Sequence, residues 1–470
     1  MANKSTVEGS NSRNWAGSGL NRRSFIRTAG LTAIAGAAGG SGLALANTPK
    51  VDSSAGMQRL PNGQFDFDTI YNRIGSGCYK WDDQIARFGA ENIQVGMGVA
   101  TMDFQAAPCI SEALNKRISH ENWGYMMTPD SFVESIVDWN RDRHGYDLDP
   151  KSVVISAGVY PGIIAALRTF AEPGSKVILL TPAYSGFYTI TNYARTIASD
   201  SLMQFKNDRY EIDWNDLESR MTPDTHALIL CNPHNPTGNV WSEEDLLRIG
   251  EMCLENQIVV LSDEIHCDFV RDGEKYIPFA SLPNQAVVDN SMTFKAVSKT
   301  FSLAALKNAY FFSTNSVYLE RVIENHRPDI NALGIIATEA AYRHGGEWFD
   351  QLLPYLDDNH SYAEKFIKQH IPQVGITKAQ GTYLSWVDMS KVSEAIGAEQ
   401  LSKASLTSNE PKTAEDVLET WLVENSGVQL NPGTKYGTGG VGHMRMNLGT
   451  SRKLIKIALN NMSAAINKAV

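Results

Sequence analysis

Four short runs limit the fold of this chain more than any other feature: SVVIS at 152–156, KVILL at 176–180, ALILC at 227–231 and IVVLS at 258–262. Their apolar residues are consecutive rather than alternating. A strand with one wet face alternates, whereas a strand that is apolar on both faces must be covered on both. Amphipathic stretches separate the runs, among them 162–170 and 242–256, the second opening at Ser242 close to a capping box. Residues 172–175 (EPGS) read as a turn. Buried strands joined by helices predict an α/β fold around a mostly parallel sheet. In such sheets ligands bind outside the carboxyl ends of the strands, so the residues just after each run are the candidates for chemistry. Beyond them, 331–374 predicts long amphipathic helices, 381–387 a strand and 415–425 a helix, while the polar stretch 390–413 reads as an insertion.

Composition excludes several classes. At 470 residues with 43% hydrophobic and 20% charged content, the chain has the apolar material for a large core. A net charge of −10 argues against a nucleic-acid partner, which requires a basic surface. The cysteines are Cys78, Cys109, Cys231, Cys253 and Cys267, an odd count without a C-x-x-C pair. That argues against a disulfide framework and against zinc; His266 beside Cys267 lacks a second pair to complete a ligand set, so no metal is expected. Residues 1–20 are rich in Ser, Asn and Gly and read as disordered. Asn21-Arg22-Arg23-Ser24-Phe25-Ile26-Arg27 follows, then an Ala/Gly-rich stretch over 28–45 that closes on Ala44-Leu45-Ala46. This resembles a twin-arginine (Tat) signal peptide over 1–46, which implies export and a periplasmic location. The alternative is an uncleaved leader acting as a membrane anchor. No other segment has 18 uninterrupted apolar residues, so no further membrane span is expected.

The candidate residues cluster after the runs. Lys299 lies in Ser298-Lys299-Thr300-Phe301. A lysine is usually a solvated surface charge, but the apolar flanks Ala296-Val297 and Phe301-Ser302-Leu303 allow the desolvation that makes its amine nucleophilic near neutral pH. Asn232-Pro233-His234-Asn235-Pro236-Thr237-Gly238 follows ALILC as a rigid turn that sets Asn235 at a strand end. Asp263, closing IVVLS, either caps a turn or pairs with a protonated ring nitrogen. Ser156-Ala157-Gly158-Val159-Tyr160-Pro161 joins a strand to a helix start, where free N–H groups suit a phosphate. It lacks G-x-G-x-x-G, which argues against a dinucleotide. Tyr184, after KVILL, is either a core tyrosine or a stacking platform. Arg445, in His443-Met444-Arg445-Met446-Asn447, either makes a surface ion pair or clamps a carboxylate with two parallel bonds.

Together these segments resemble the fold-type I enzymes that use pyridoxal 5′-phosphate (PLP), in the class I/II aminotransferase superfamily, and within it the MalY/PatB family of C–S β-lyases. The resemblance runs from about Phe65 to the end. Its further markers are Phe65-Asp66-Phe67-Asp68, Lys80-Trp81-Asp82, Met102-Asp103-Phe104, Gly124-Tyr125, Ala340-Ala341-Tyr342 and Gly381-Thr382-Tyr383-Leu384-Ser385-Trp386. It implies a large domain over 106–330 with a mostly parallel sheet, and a smaller α/β domain assembled from 47–105 and 331–470. It implies that Lys299 carries PLP as a Schiff base and serves as acid–base, with Asp263 on the pyridinium nitrogen. Asn235 and His266 sit near the phenolic oxygen and Tyr184 stacks on the ring. The amides around Gly158, Val159 and Tyr160 hold the phosphate, with Ser298 nearby and Lys307 in the place of a common phosphate-binding arginine. Arg445 binds the substrate carboxylate. Tyr125 reaches the phosphate of a neighbouring subunit in a homodimer with shared active sites.

The implied reaction is β-elimination from L-cystathionine or a related cysteine S-conjugate, giving pyruvate, ammonia and a thiol. The same residues serve transamination, the alternative; a regulatory role without catalysis is the remoter one. The chain departs from the resemblance at Gly98 and Thr101, where the usual W-V-A-D-M-D-F pattern has a tryptophan and an acid, and at Ala296, where many aminotransferases have a phosphate-binding hydroxyl. Gln380 and Ala305 depart as well.

Overall fold

The structure, a computed structural model, describes residues 56–406 and 411–470. The twin-arginine segment and its cleavage pattern lie outside the described residues.

Fifteen strands are described. In chain order they are β1 (Val95–Gly96), β2 (Val154–Ser156), β3 (Lys176–Thr181), β4 (Ile197–Leu202), β5 (Gln204–Lys206), β6 (Arg209–Glu211), β7 (Thr225–Cys231) and β8 (Val259–Asp263). They continue with β9 (Ser291–Lys295), β10 (Ala309–Phe312), β11 (Gly375–Ile376), β12 (Leu384–Asp388), β13 (Val428–Gln429), β14 (Asn431–Pro432) and β15 (His443–Asn447). The main sheet has seven strands in the order β2-β10-β9-β8-β7-β3-β4. The pairs from β9 across to β4 are parallel; β10 runs antiparallel to both of its neighbours.

The consecutive apolar runs are strands because both faces of this sheet are covered. Alternate residues sort onto opposite sides: Val177, Leu179, Ala227, Ile229, Val259 and Leu261 join one apolar cluster. Ile178, Leu180, Leu228, Leu230 and Val260 join another. Helix Val159–Phe170 packs into the first cluster and helix Glu243–Glu255 into the second. The latter begins with a full capping box in which Ser242 and Asp245 exchange bonds. Each fully buried Leu, Ile or Val contributes about 1.5–3 kcal/mol, so a two-faced strand is a heavily stabilised unit.

A second, antiparallel sheet has the order β11-β12-β15-β14, and β1 pairs in parallel with β13. Three expectations need correction here. The 152–156 run starts its strand only at Val154, because Pro150–Ser152 forms a 3-10 turn capped by Asp149. The 381–387 strand starts only at Leu384, because Thr382 has φ of 66°, outside the extended region. Within 390–413, Ser390–Ala395 and Ala398–Ser405 are helices packed on the preceding and following elements. Among the described residues no helix is long and apolar enough to cross a membrane.

Candidate active site

The register Cys231↔Asp263 and Asp263↔Phe294 brings the carboxyl ends of β7, β8 and β9 level. Three connections therefore leave one edge side by side: the loop carrying Asn235, the turn after Asp263 that carries His266, and the short helix Val297–Thr300 with Lys299. Arg445 arrives from β15 of the second sheet, and Tyr184 from the loop after β3.

Lys299 is largely buried, and its Nζ donates to Ala100 O at 2.9 Å. Burial lowers its pKa to about 8; the Arg445 guanidinium pushes the same way and Asp263 opposes. Asp263 is 4% exposed, and burial pushes its carboxyl up to about 7 against the Ile265 N–H that donates to its Oδ1 at 3.2 Å. His266 is buried and held neutral by desolvation and by the charges of Lys299 and Arg445; its Nδ1 has no partner. Arg445 is buried too. Its Nη1 donates to Asn235 Oδ1 at 3.1 Å and its Nη2 to Gly98 O at 2.8 Å, while its Nε has no partner. The guanidinium lies 5.1 Å from the centre of the Tyr436 ring. Asn235 thus accepts from Arg445 through its amide oxygen, so the donor end of its amide is the end left for a ligand.

Tyr184 sits edge-on to Phe187 at 5.5 Å, with its hydroxyl pushed up to about 12 by burial. A Cβ on Gly186 would lie 2.3 Å from the Tyr184 ring and 3.0 Å from that of Tyr160, so the absence of a side chain there is what lets both rings close on the helix start. Tyr160 belongs to the first turn of helix Val159–Phe170, whose N-cap is Gly158. Ser156 Oγ donates to Gly158 O at 2.8 Å and steadies that turn. The structure thus brings Lys299, Asp263, Asn235, His266, Arg445, Tyr184 and the Gly158–Tyr160 turn to one edge, with Ser298 in the same short helix as Lys299. Two further predicted residues are solvent-exposed, and the resemblance assigns one of them, Tyr125, to a neighbouring subunit's site rather than to this one. Lys307 is exposed, capping a 3-10 turn with φ of 51°, and Tyr125 is fully exposed.

Sequence reasoning marked the segment 98–101 for its departures at Gly98 and Thr101 but missed how it is held. Each of its four carbonyls accepts a side-chain bond from the C-terminal part of the chain. Gly98 O takes Arg445 Nη2, Val99 O and Thr101 O take Asn447 Nδ2 (2.5 and 2.8 Å), and Ala100 O takes Tyr383 OH at 2.9 Å. The departures from the family pattern have physical counterparts here. A Cβ on Gly98 would come within 2.5 Å of both Gln429 Oε1 and Asn431 Oδ1, so those two side chains fill the room a larger residue would need. Thr101 Oγ1 accepts from Arg73 Nη1 at 3.1 Å, and Arg73 also reaches Asp103. Asp103 is paired with the buried ammonium of Lys80 at 2.6 Å. Tyr383 stands within Gly381-Thr382-Tyr383-Leu384-Ser385-Trp386, but nothing local in the sequence points to its partner.

Behind the site, His144, Cys267 and Asp268 bring potential ligand atoms within 4.8 Å of one another. Asp268 already bonds to Trp139 Nε1 and His144 Nε2 (both 3.0 Å) and accepts from Thr300 Oγ1 at 2.5 Å. The buried Lys295 ammonium faces Cys267 and Asp268, so the chain supplies its own cation. The cluster braces the helix of Lys299 through its neighbour Thr300.

Comparison with known proteins agrees with this geometry. The family described as aminotransferase class I and II matches residues 92–462. Cystathionine beta-lyase PatB of Bacillus subtilis (strain 168) is 37% identical over 407 residues, covering 85% of this chain and 100% of that protein. Protein MalY of Escherichia coli (strain K12) is 32% identical over 410 residues, covering 86% and 99%. The crystal structure of cystalysin from Treponema denticola, which contains a pyridoxal 5′-phosphate cofactor, superposes with a TM-score of 0.77 at 27% identity, covering 86% of this chain and 99% of that one. The chain belongs to the aminotransferase class I and II family and has its fold-type I α/β architecture.

Proposed function

We propose that this chain is a PLP-dependent C–S β-lyase that cleaves L-cystathionine or a related cysteine S-conjugate to pyruvate, ammonia and a thiol. The observation that carries the reading is the trio of largely buried Lys299 with buried Asp263 and Arg445, an amine, an acid and a carboxylate clamp held at one strand edge. The site fits the cofactor by its unmet needs. Asp263 is buried without a cationic partner of its own in hydrogen-bond contact, His266 Nδ1 is unpartnered, and the Gly158–Tyr160 turn presents free helix-start amides.

PLP, when bound, supplies an electron sink that makes the substrate Cα–H acidic. Lys299 would hold it covalently, Asp263 would face its ring nitrogen, and Tyr184 would cover its ring. Arg445 exchanges its bonds to Asn235 and Gly98 O for the substrate carboxylate, which fixes the Cα–H toward Lys299. The Lys299 amine, with its pKa lowered to about 8, is neutral in a usable fraction near pH 7–8 and removes that proton at Nζ. The same ammonium is then placed to return a proton to the departing sulfur. His266, kept neutral by burial, adds no competing acid.

The test is pyruvate release by the PLP-loaded protein given L-cystathionine and no keto acid, beside Lys299→Ala. Sustained pyruvate and thiol, lost in the variant, support the lyase. A single turnover that restarts only on adding a keto acid overturns it in favour of transamination. The protein would work as a homodimer in which the exposed Tyr125 completes the neighbouring site. Residues 1–46 would direct export through the Tat pathway; Arg22→Lys with Arg23→Lys should then leave the protein in the cytoplasm on fractionation, and unchanged export would refute this.

A further inference from the structure

One carbonyl oxygen is shared by the reacting amine and a buried phenol. Ala100 O accepts from Lys299 Nζ at 2.9 Å and from Tyr383 OH at 2.9 Å. Tyr383 has no exposed surface, and its ring is edge-on to His266 at 6.0 Å and to Phe269 at 4.9 Å. The carbonyls on either side of Ala100 are taken by Asn447, so this oxygen is held in place and cannot turn to find another donor.

We infer that Tyr383 is a positioning residue for proton transfer: its hydroxyl holds the Ala100 carbonyl where the freed Lys299 amine docks, and weakens that carbonyl as a partner for the ammonium. A carbonyl oxygen has two lone pairs, and here both are engaged. An ammonium gains more from a carbonyl it does not share, because the hydroxyl's donation draws off part of the negative charge it would otherwise meet. Sharing therefore keeps Lys299 closer to the neutral form that abstracts a proton. Removing the hydroxyl while keeping the ring should raise the affinity of Lys299 for its proton. The other charged or titratable groups facing the pair are Arg445 from β15, Asp263 from β8 and His266 from the turn after it. Arg73 and Asp103 face the phenol from the N-terminal segment. Tyr383→Phe alters none of them.

The inference rests on Lys299 as the base but not on elimination, so its test uses probes with no leaving group. Full-chain holoenzyme carrying 13C at lysine Cε is saturated with 2-methylalanine, which has no Cα hydrogen and halts the reaction with the Lys299 amine free. The Lys299 resonance, identified by its loss in Lys299→Arg, is titrated against pH. In Tyr383→Phe its midpoint should rise by about 0.5–1 pH unit, a three- to tenfold change in the proton equilibrium. The acid limb of L-alanine Cα–H exchange in heavy water should move up equally. Coincident midpoints in the two proteins, with equal thermal unfolding temperatures, would overturn the role of Tyr383. Absence of cystathionine cleavage would overturn only the lyase reading.

Discussion

Asp263 shows how a single side chain can set the needs of a whole site. Burial raises its folded pKa to about 7, above the usual value of 3.8. The folded state then binds a proton that the unfolded state has released, so stability falls as pH rises from about 4 to about 7 and levels off above. The full cost is on the order of 4 kcal/mol, a quantity a cationic partner on the carboxylate would offset. In the cofactor-free protein, Asp263→Asn should remove this contribution to the slope. Urea unfolding at pH 4.5 and 7.5 measures it: the variant should gain on wild type at the higher pH. An equal difference at the two pH values would contradict it. Adding PLP should stabilise wild type more than Asp263→Asn.

At the scale of the element, Gly186 controls the opening turn of helix Gly186–Ala194. Gly186→Ala puts a methyl group into the space the Tyr184 ring occupies, and the ring must move off. Losing a stacked aromatic surface costs about 1 kcal/mol, roughly fivefold in affinity. An absorbance titration of the cofactor-free variant with PLP should show that weakening at unchanged circular dichroism. Elements were also what the sequence made most legible. KVILL and ALILC lie in β3 and β7, and IVVLS, but for Ile258, in β8, because two-faced burial leaves its mark in consecutive residues; Asp263 closes β8, and the loops after the strands hold Tyr184, Asn235 and His266. The antiparallel direction of β10 leaves no such mark, since a buried strand reads the same either way. Nor do the roles of Tyr383 and Asn447, which depend on backbone carbonyls hundreds of residues away. A side chain that bonds to a distant backbone carries no signature at its own position, whereas one at a strand end does.

At the scale of the whole molecule, the fully exposed Tyr125 is the main test of the subunit arrangement. It lies beside a cleft of about 670 Å³ between helices Pro108–Ile118 and Ala332–His344, with Trp123 and Met127 also exposed. If Tyr125 completes the site of a second copy, Tyr125→Ala and Lys299→Ala should each be impaired alone. Mixing and refolding them together should restore activity to about a quarter of wild type, because half of the random dimers would hold one intact site of two. No recovery, with sedimentation showing that dimers form, would place Tyr125 outside the neighbouring site.

The parallel pairing of Val95 with Val428 also has a consequence for biosynthesis. A ribosome releases the chain from its N-terminus at about 5–20 residues per second. The main sheet and Lys299 are therefore outside the ribosome well before β13 and β15 exist. Until those strands emerge, β1 lacks its parallel partner, and the carbonyls of Gly98, Val99 and Thr101 lack the bonds that Arg445 and Asn447 supply. A message cut short before codon 428 would yield a nascent chain with its central sheet and its amine but without the strand that carries Arg445 and Asn447.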